Sequence, residues 1–126
     1  MGRVSYFTVG SRDLERAKAF YDALLGSIGM RAVMEHPTGG RLYGGKGMGM
    51  FGVLGPYDGQ PATVGNGSMG GFSFETPEEV DAFHAKAMEL GAVDEGAPGV
   101  RLPGAYFAYF RDPDGNKLCV CCHEPA

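Results

Sequence analysis

The sequence predicts an α+β fold in which a strand–helix–three-strand unit is written twice. Three observations point to it. The apolar pattern switches between strand-like runs and a helical period in the same order in each half of the chain. Capping and terminating residues stand where those switches fall. Finally, Ala19-Phe20-Tyr21 lies 63 positions before Ala82-Phe83-His84 in a chain of 126 residues, the offset a duplicated unit would produce. One domain is expected at this length, built from a first module over about 1–63 and a second over about 64–126.

The elements follow in order. Val4 to Val9 is β-branched and aromatic and stops at Gly10-Ser11, which reads as a strand. Ser11 or Asp13 can cap a helix whose apolar positions are Leu14, Ala17, Phe20, Tyr21, Leu24 and Leu25, with Gly26 and Gly29 as its end. Three short strands are expected at Met30–Glu35, Arg41–Tyr43 and Met48–Leu54, punctuated by Gly39-Gly40 and Gly44-Gly45. A turn-rich loop spans Gly55–Ser68, and Met69–Phe74 opens the second module as a strand. Thr76-Pro77-Glu78-Glu79 is a capping box with proline at the first helical position. The helix then carries Val80, Phe83, Ala87, Met88 and Leu90, and ends at Gly91. Ala92–Asp94, Ala105–Phe110 and Lys117–His123 read as strands, the last two joined through Asp112-Pro113-Asp114-Gly115-Asn116. A sheet covered by its helix on one face only leaves the other face open, and two such sheets set edge to edge would enclose a cavity.

Composition narrows the partners. Eleven basic against fifteen acidic residues give a net charge of −4 with no basic run, so the clustered positive footprint of a nucleic-acid binder is missing. No apolar stretch approaches the roughly 20 residues that span a bilayer, and Met1-Gly2-Arg3-Val4-Ser5 lacks a hydrophobic signal core. A soluble cytoplasmic protein is expected. Cys119, Cys121 and Cys122 are too clustered for a disulfide framework, which suits reduced thiols. The 22 glycines mark many turns and close backbone approaches.

Several motifs fail on context. Gly65-Asn66-Gly67-Ser68-Met69-Gly70 has dinucleotide-loop spacing but runs into the extended Phe72-Ser73-Phe74 rather than a helix. The loop from Gly40 to Lys46 has Gly47 where a phosphate loop needs Ser or Thr for magnesium. Cys119, Cys121 and His123 alternate on one strand and share a face. Neighbours two apart on a strand are separated by about 7 Å, too far for three ligands to share one tetrahedral zinc. Buried small hydrophobes are the simpler role for the cysteines. Neither His36 nor His84 has a readable catalytic partner.

The run Tyr6–Thr8–Gly10 into Asp13-Leu14-Glu15-Arg16-Ala17-Lys18-Ala19-Phe20-Tyr21 resembles the first module of the vicinal oxygen chelate superfamily. That superfamily holds glyoxalase I, fosfomycin and bleomycin resistance proteins and extradiol dioxygenases. Phe110-Arg111-Asp112-Pro113-Asp114-Gly115-Asn116-Lys117 resembles the turn into its final strand. Pro56 to Thr63, with Gly65-Asn66-Gly67, is similar to a small glyoxalase-like bacterial branch. The resemblance implies two βαβββ modules in tandem, a cupped mixed sheet with helices on the outer face, and a homodimer.

Members with metal chemistry use two His and a Glu on the inner face. Those positions correspond here to Tyr6, Gly71 and Cys119, and a further position in some members falls near Phe51-Gly52. The usual ligands are thus replaced, so no metal and no cofactor are expected. The candidate binding residues are Tyr6, Thr8, Met50, Gly71, Ser73, Cys119 and Cys121, with Met48 as additional soft lining. They suit a small, partly apolar organic ligand. The alternative is a lyase, isomerase or dioxygenase-type enzyme with an atypical site, including thiol chemistry through Cys119 with Tyr6 as acid. A third possibility is a partner-binding or structural domain with a filled cavity and dimerisation as its main event.

Overall fold

The computed structural model describes residues 1–124 and has the element order β1 (Tyr6–Gly10), α1 (Leu14–Gly26), β2 (Arg31–Glu35), β3 (Arg41–Gly44), β4 (Met50–Leu54), β5 (Gly70–Ser73), α2 (Pro77–Glu89), β6 (Val93–Leu102), β7 (Ala105–Arg111) and β8 (Lys117–His123). The fold is α+β, with two tandem βαβββ modules. They form two compact units, Met1–Val64 and the chain from Gly65 onward. No helix among the described residues is long and apolar enough to cross a membrane.

In the first unit the strands lie in the order β1-β4-β3-β2. β1 runs parallel to β4, and β3 is antiparallel to both its neighbours. Strand alternation divides the sheet into two faces. Phe7, Phe51 and Tyr43 turn toward α1, where the Phe51 ring lies 5.1 Å from Phe7 and 4.6 Å from Tyr21. α1 contributes Ala17, Phe20, Tyr21, Leu24 and Leu25 to this core. Asp13 is its N-cap and accepts a hydrogen bond from the Arg16 amide, while Ser11 accepts one from the Asp13 amide. Of the two candidates Asp13 is the cap, and Ser11 holds the amide of the cap residue itself. The helix ends at Gly26, with Ser27 as C-cap in right-handed geometry. The left-handed turn is made by Gly29, at φ 83°, the only kind of residue that takes such an angle without strain. On the same face, buried Tyr43 donates to Asp22 at 2.7 Å, and Asp22 pairs with Arg41, which also holds Glu35.

The second unit repeats the plan, with strand order β5-β8-β7-β6. Phe72, Phe74 and Phe110 surround Phe83 of α2 at 5.2–6.3 Å between ring centroids. Thr76 caps α2 by accepting from the Glu79 amide at 3.2 Å and donating to the Glu79 carboxylate at 3.1 Å, the reciprocal pattern of a capping box. His84 is 6% exposed. Its Nε2 faces two acceptors, Asp94 Oδ1 at 3.1 Å and the Tyr109 carbonyl at 3.3 Å, so it ties α2 to β6 and β7. Asp112 closes the last turn, accepting from the amides of Asp114 and Asn116 and from the Asn116 side chain.

Several strands start or end one or two residues from the expected bounds, and two strands differ in ways that bear on the site. β6 is ten residues long rather than the three expected, and continues through Gly96, Pro98 and Gly99. It does so as the edge of its sheet, with register shifts at three places; edge strands and bulges tolerate the residues that would break a central strand. β4 begins at Met50, so Met48 lies outside it and packs its side chain toward Gly29 and Gly45 rather than lining the sheet.

Candidate functional site

The face of each sheet turned away from its helix carries the sequence-predicted residues. In the first unit Tyr6 pairs with Met50 and Thr8 with Gly52. These four alternate with the helix-facing Phe7, Phe51, Val9 and Val53 and so share the open face. Tyr6 is 60% exposed. Leu42 of β3 lies flat across Gly52, 2.5 Å from where a Cβ would stand, with Thr8 Cγ2 at 3.2 Å from the same point. A glycine at position 52 is what lets Leu42 close down on the sheet. Of the two residues at the additional ligand place, Phe51 belongs to the core and Gly52 offers no side chain.

In the second unit Gly71 pairs with Cys119 and Ser73 with Cys121. A Cβ added at Gly71 would stand 3.3 Å from Cys119 Sγ. β7 borders the thiols on the other side, with Tyr109 opposite Cys119 and Phe107 opposite Cys121. Cys119 is 5% exposed, and burial, reinforced by the neighbouring Cys121, pushes its thiol up to about 12. Cys122 points into the helix-facing core, and burial raises its thiol as well. All three cysteines are free.

The sheet also gathers residues that the sequence reading passed over. The Phe107 and Tyr109 rings stack at 6.1 Å with 29° between their planes, and His123 meets the Phe107 edge at 5.2 Å. Arg101 and Lys117 place their cations 5.7 and 5.4 Å from the Tyr109 centroid. The signal was in the hairpin: counting outward from the Asp112–Asn116 turn sets Tyr109 across from Cys119, and alternation then puts Phe107 beside it.

The residues at the corresponding metal positions do not fit a divalent cation. Gly71 has no donor atom. Cys119 keeps its proton well above neutral pH, whereas a thiol ligand must be a thiolate. Tyr6 presents a phenol where the metalloenzymes present an imidazole. Among the described residues, no group of three or more His, Cys, Asp and Glu side chains is placed to hold a metal ion. The same raised thiol counts against Cys119 as a nucleophile.

Repeated βαβββ units, each with one sheet face covered by a helix and the other turned away from it, define a glyoxalase-type architecture. A family model described as Glyoxalase/Bleomycin resistance protein/Dioxygenase superfamily matches residues 3–120. The chain belongs to that superfamily. It is similar to the crystal structure of a glyoxalase/bleomycin resistance protein from Albidiferax ferrireducens T118, with 46% identity, a TM-score of 0.82, and 97% of this chain and 98% of that one covered. A glyoxalase/bleomycin resistance protein/dioxygenase family enzyme from Burkholderia phytofirmans PsJN shares the fold at 21% identity and a TM-score of 0.75, over 95% and 98% of the two chains. A lactoylglutathione lyase from Agrobacterium tumefaciens does so at 24% identity and 0.69, over 96% and 93%. No curated protein matches the chain.

Proposed function

We propose that this protein binds a small, partly apolar organic molecule without a resident metal ion, in the manner of bleomycin-type resistance proteins rather than of the metalloenzymes of its superfamily. Each unit carries candidate binding residues on its own open sheet face: Tyr6, Thr8 and Met50 in the first, and Gly71, Ser73, Cys119 and Cys121 in the second. The observation that carries the reading is the pairing of Gly71 with Cys119. A position without any donor atom sits beside a thiol that holds its proton, which leaves room and softness where a Lewis acid would need hard, charged ligands. The protein works as a cytoplasmic homodimer, with neither nucleic acid nor membrane as partner.

An enzymatic reading has less behind it. The lyase from Agrobacterium tumefaciens supports the shared fold alone at 24% identity, and the protonated Cys119 lacks the lowered pKa of a reactive thiol. Thermal-shift measurements test the proposal, with small ring-bearing organic compounds and with Ni, Zn, Mn and Fe added separately to metal-stripped protein. Stabilisation by the organic compounds and none by the metals is expected. A stoichiometric metal that stabilises the protein by itself would overturn the proposal.

A further inference from the structure

We infer that the open face of the second sheet selects a small ring-bearing anion, such as an aromatic carboxylate; this rests on the binding role proposed above and narrows it to a ligand class. The chain carries a net charge of −4, yet this face concentrates positive charge. Arg101, Arg111 and Lys117 stand on it against one carboxylate, Glu95, which Arg111 already holds at 2.6 Å. The hydrogen bond and charge of Arg111, with a smaller contribution from Lys117, keep the Glu95 carboxyl below the ordinary range. Even so, two cations remain in excess.

Those two are the ones beside Tyr109. Lys117 has the Tyr109 ring 5.4 Å from its Nζ, and among the described residues its ammonium makes no hydrogen bond or salt bridge. Arg101 donates one N–H to the Ala97 carbonyl at 2.6 Å and has its guanidinium carbon 5.7 Å from the same ring. A guanidinium has five N–H donors, so most remain for a ligand. Both cations are thus oriented by one aromatic ring instead of being neutralised by a carboxylate. The stacked neighbour Phe107 continues the apolar surface from Tyr109 toward the partly exposed Cys121. A ligand whose ring lies along Phe107 and whose anionic group reaches Lys117 and Arg101 satisfies both features at once: charge-assisted hydrogen bonds at one end, and aromatic contact at the other.

The test uses amide NMR titrations of the full chain with benzoate and with benzamide, its neutral isostere. Benzoate is expected to shift the signals of Phe107, Tyr109 and Cys121 and to bind about tenfold more tightly than benzamide, the worth of one charge-assisted contact. The double variant R101M/K117M, whose methionines retain apolar stems over Tyr109, is expected to lose the preference and bind benzoate no more tightly than benzamide. An unaltered spectrum elsewhere shows that this variant is folded. Equal affinity for the two compounds in the unmodified protein, or undiminished benzoate binding in the variant, overturns the inference and leaves the proposed function standing. If neither compound moves any open-face signal, both fall.

Discussion

Thiol reactivity offers the sharpest check on the chemistry of the second sheet. Burial and Cys121 raise the Cys119 thiol from an ordinary 9.0 to about 12. Below pH 9 a difference of three pH units lowers the thiolate fraction about a thousandfold, and the thiolate is the reacting species. With only 5% of the residue exposed, access slows the reaction further. Alkylation of the native protein by iodoacetamide at pH 8 should therefore modify Cys119 at least about a thousandfold more slowly than the same residue in guanidinium. Tandem mass spectrometry of the unmodified protein locates the label on Cys119 and follows it over time. The reasoning also fixes a sign. The folded state retains a proton that the unfolded chain releases near pH 9, so stability is intact below pH 9 and declines as the pH rises from 9 toward 12. Denaturant midpoints measured between pH 7 and 11 should fall only above pH 9. Native-state labelling of Cys119 as fast as that of glutathione would refute both the raised thiol and the argument against metal ligation built on it.

Two further outcomes concern packing. Gly52→Ala drives a methyl into Leu42 Cδ2, 2.5 Å away, and Thr8 Cγ2, 3.2 Å away; overpacking of this kind costs about 1–3 kcal/mol. Urea unfolding reads that cost, and an unchanged midpoint would mean that Leu42 does not lie across the glycine. Asp112→Ala removes a buried acceptor of three hydrogen bonds at 2.9–3.0 Å, for a loss of about 2–4 kcal/mol. Hydrogen exchange should rise first at the β7–β8 end of the second sheet, and a loss below about 1 kcal/mol would show that the turn holds itself.

Local chemistry carried most of the secondary structure. Thr76 with Glu79, Asp13 with its helix amide, and Gly29, Gly91 and Gly115 at positive φ each act through neighbours a few residues away, so reading along the chain suffices. β6 was shortened in that reading because Gly96, Pro98 and Gly99 are poor strand formers by themselves. Pairing with β7 across three register shifts overrides their preference. His84 is similar: its helix position was visible, but its burial depends on Asp94 and the Tyr109 carbonyl, 10 and 25 residues away.

The candidate site divides along the same line. Alternation along one strand already places Cys119 with Cys121, Gly71 with Ser73, and Tyr6 with Thr8, because a strand's period of two is a property of the backbone. Register between strands is not local. It was the tertiary pairing that set Gly71 beside Cys119, Tyr109 on the far side of that thiol, and Arg101 and Lys117 around one ring. Sequence thus determined which residues can share a face; the sheet decided which of them meet, since burial, thiol acidity and the placing of charge arise only when strands distant in the chain lie side by side.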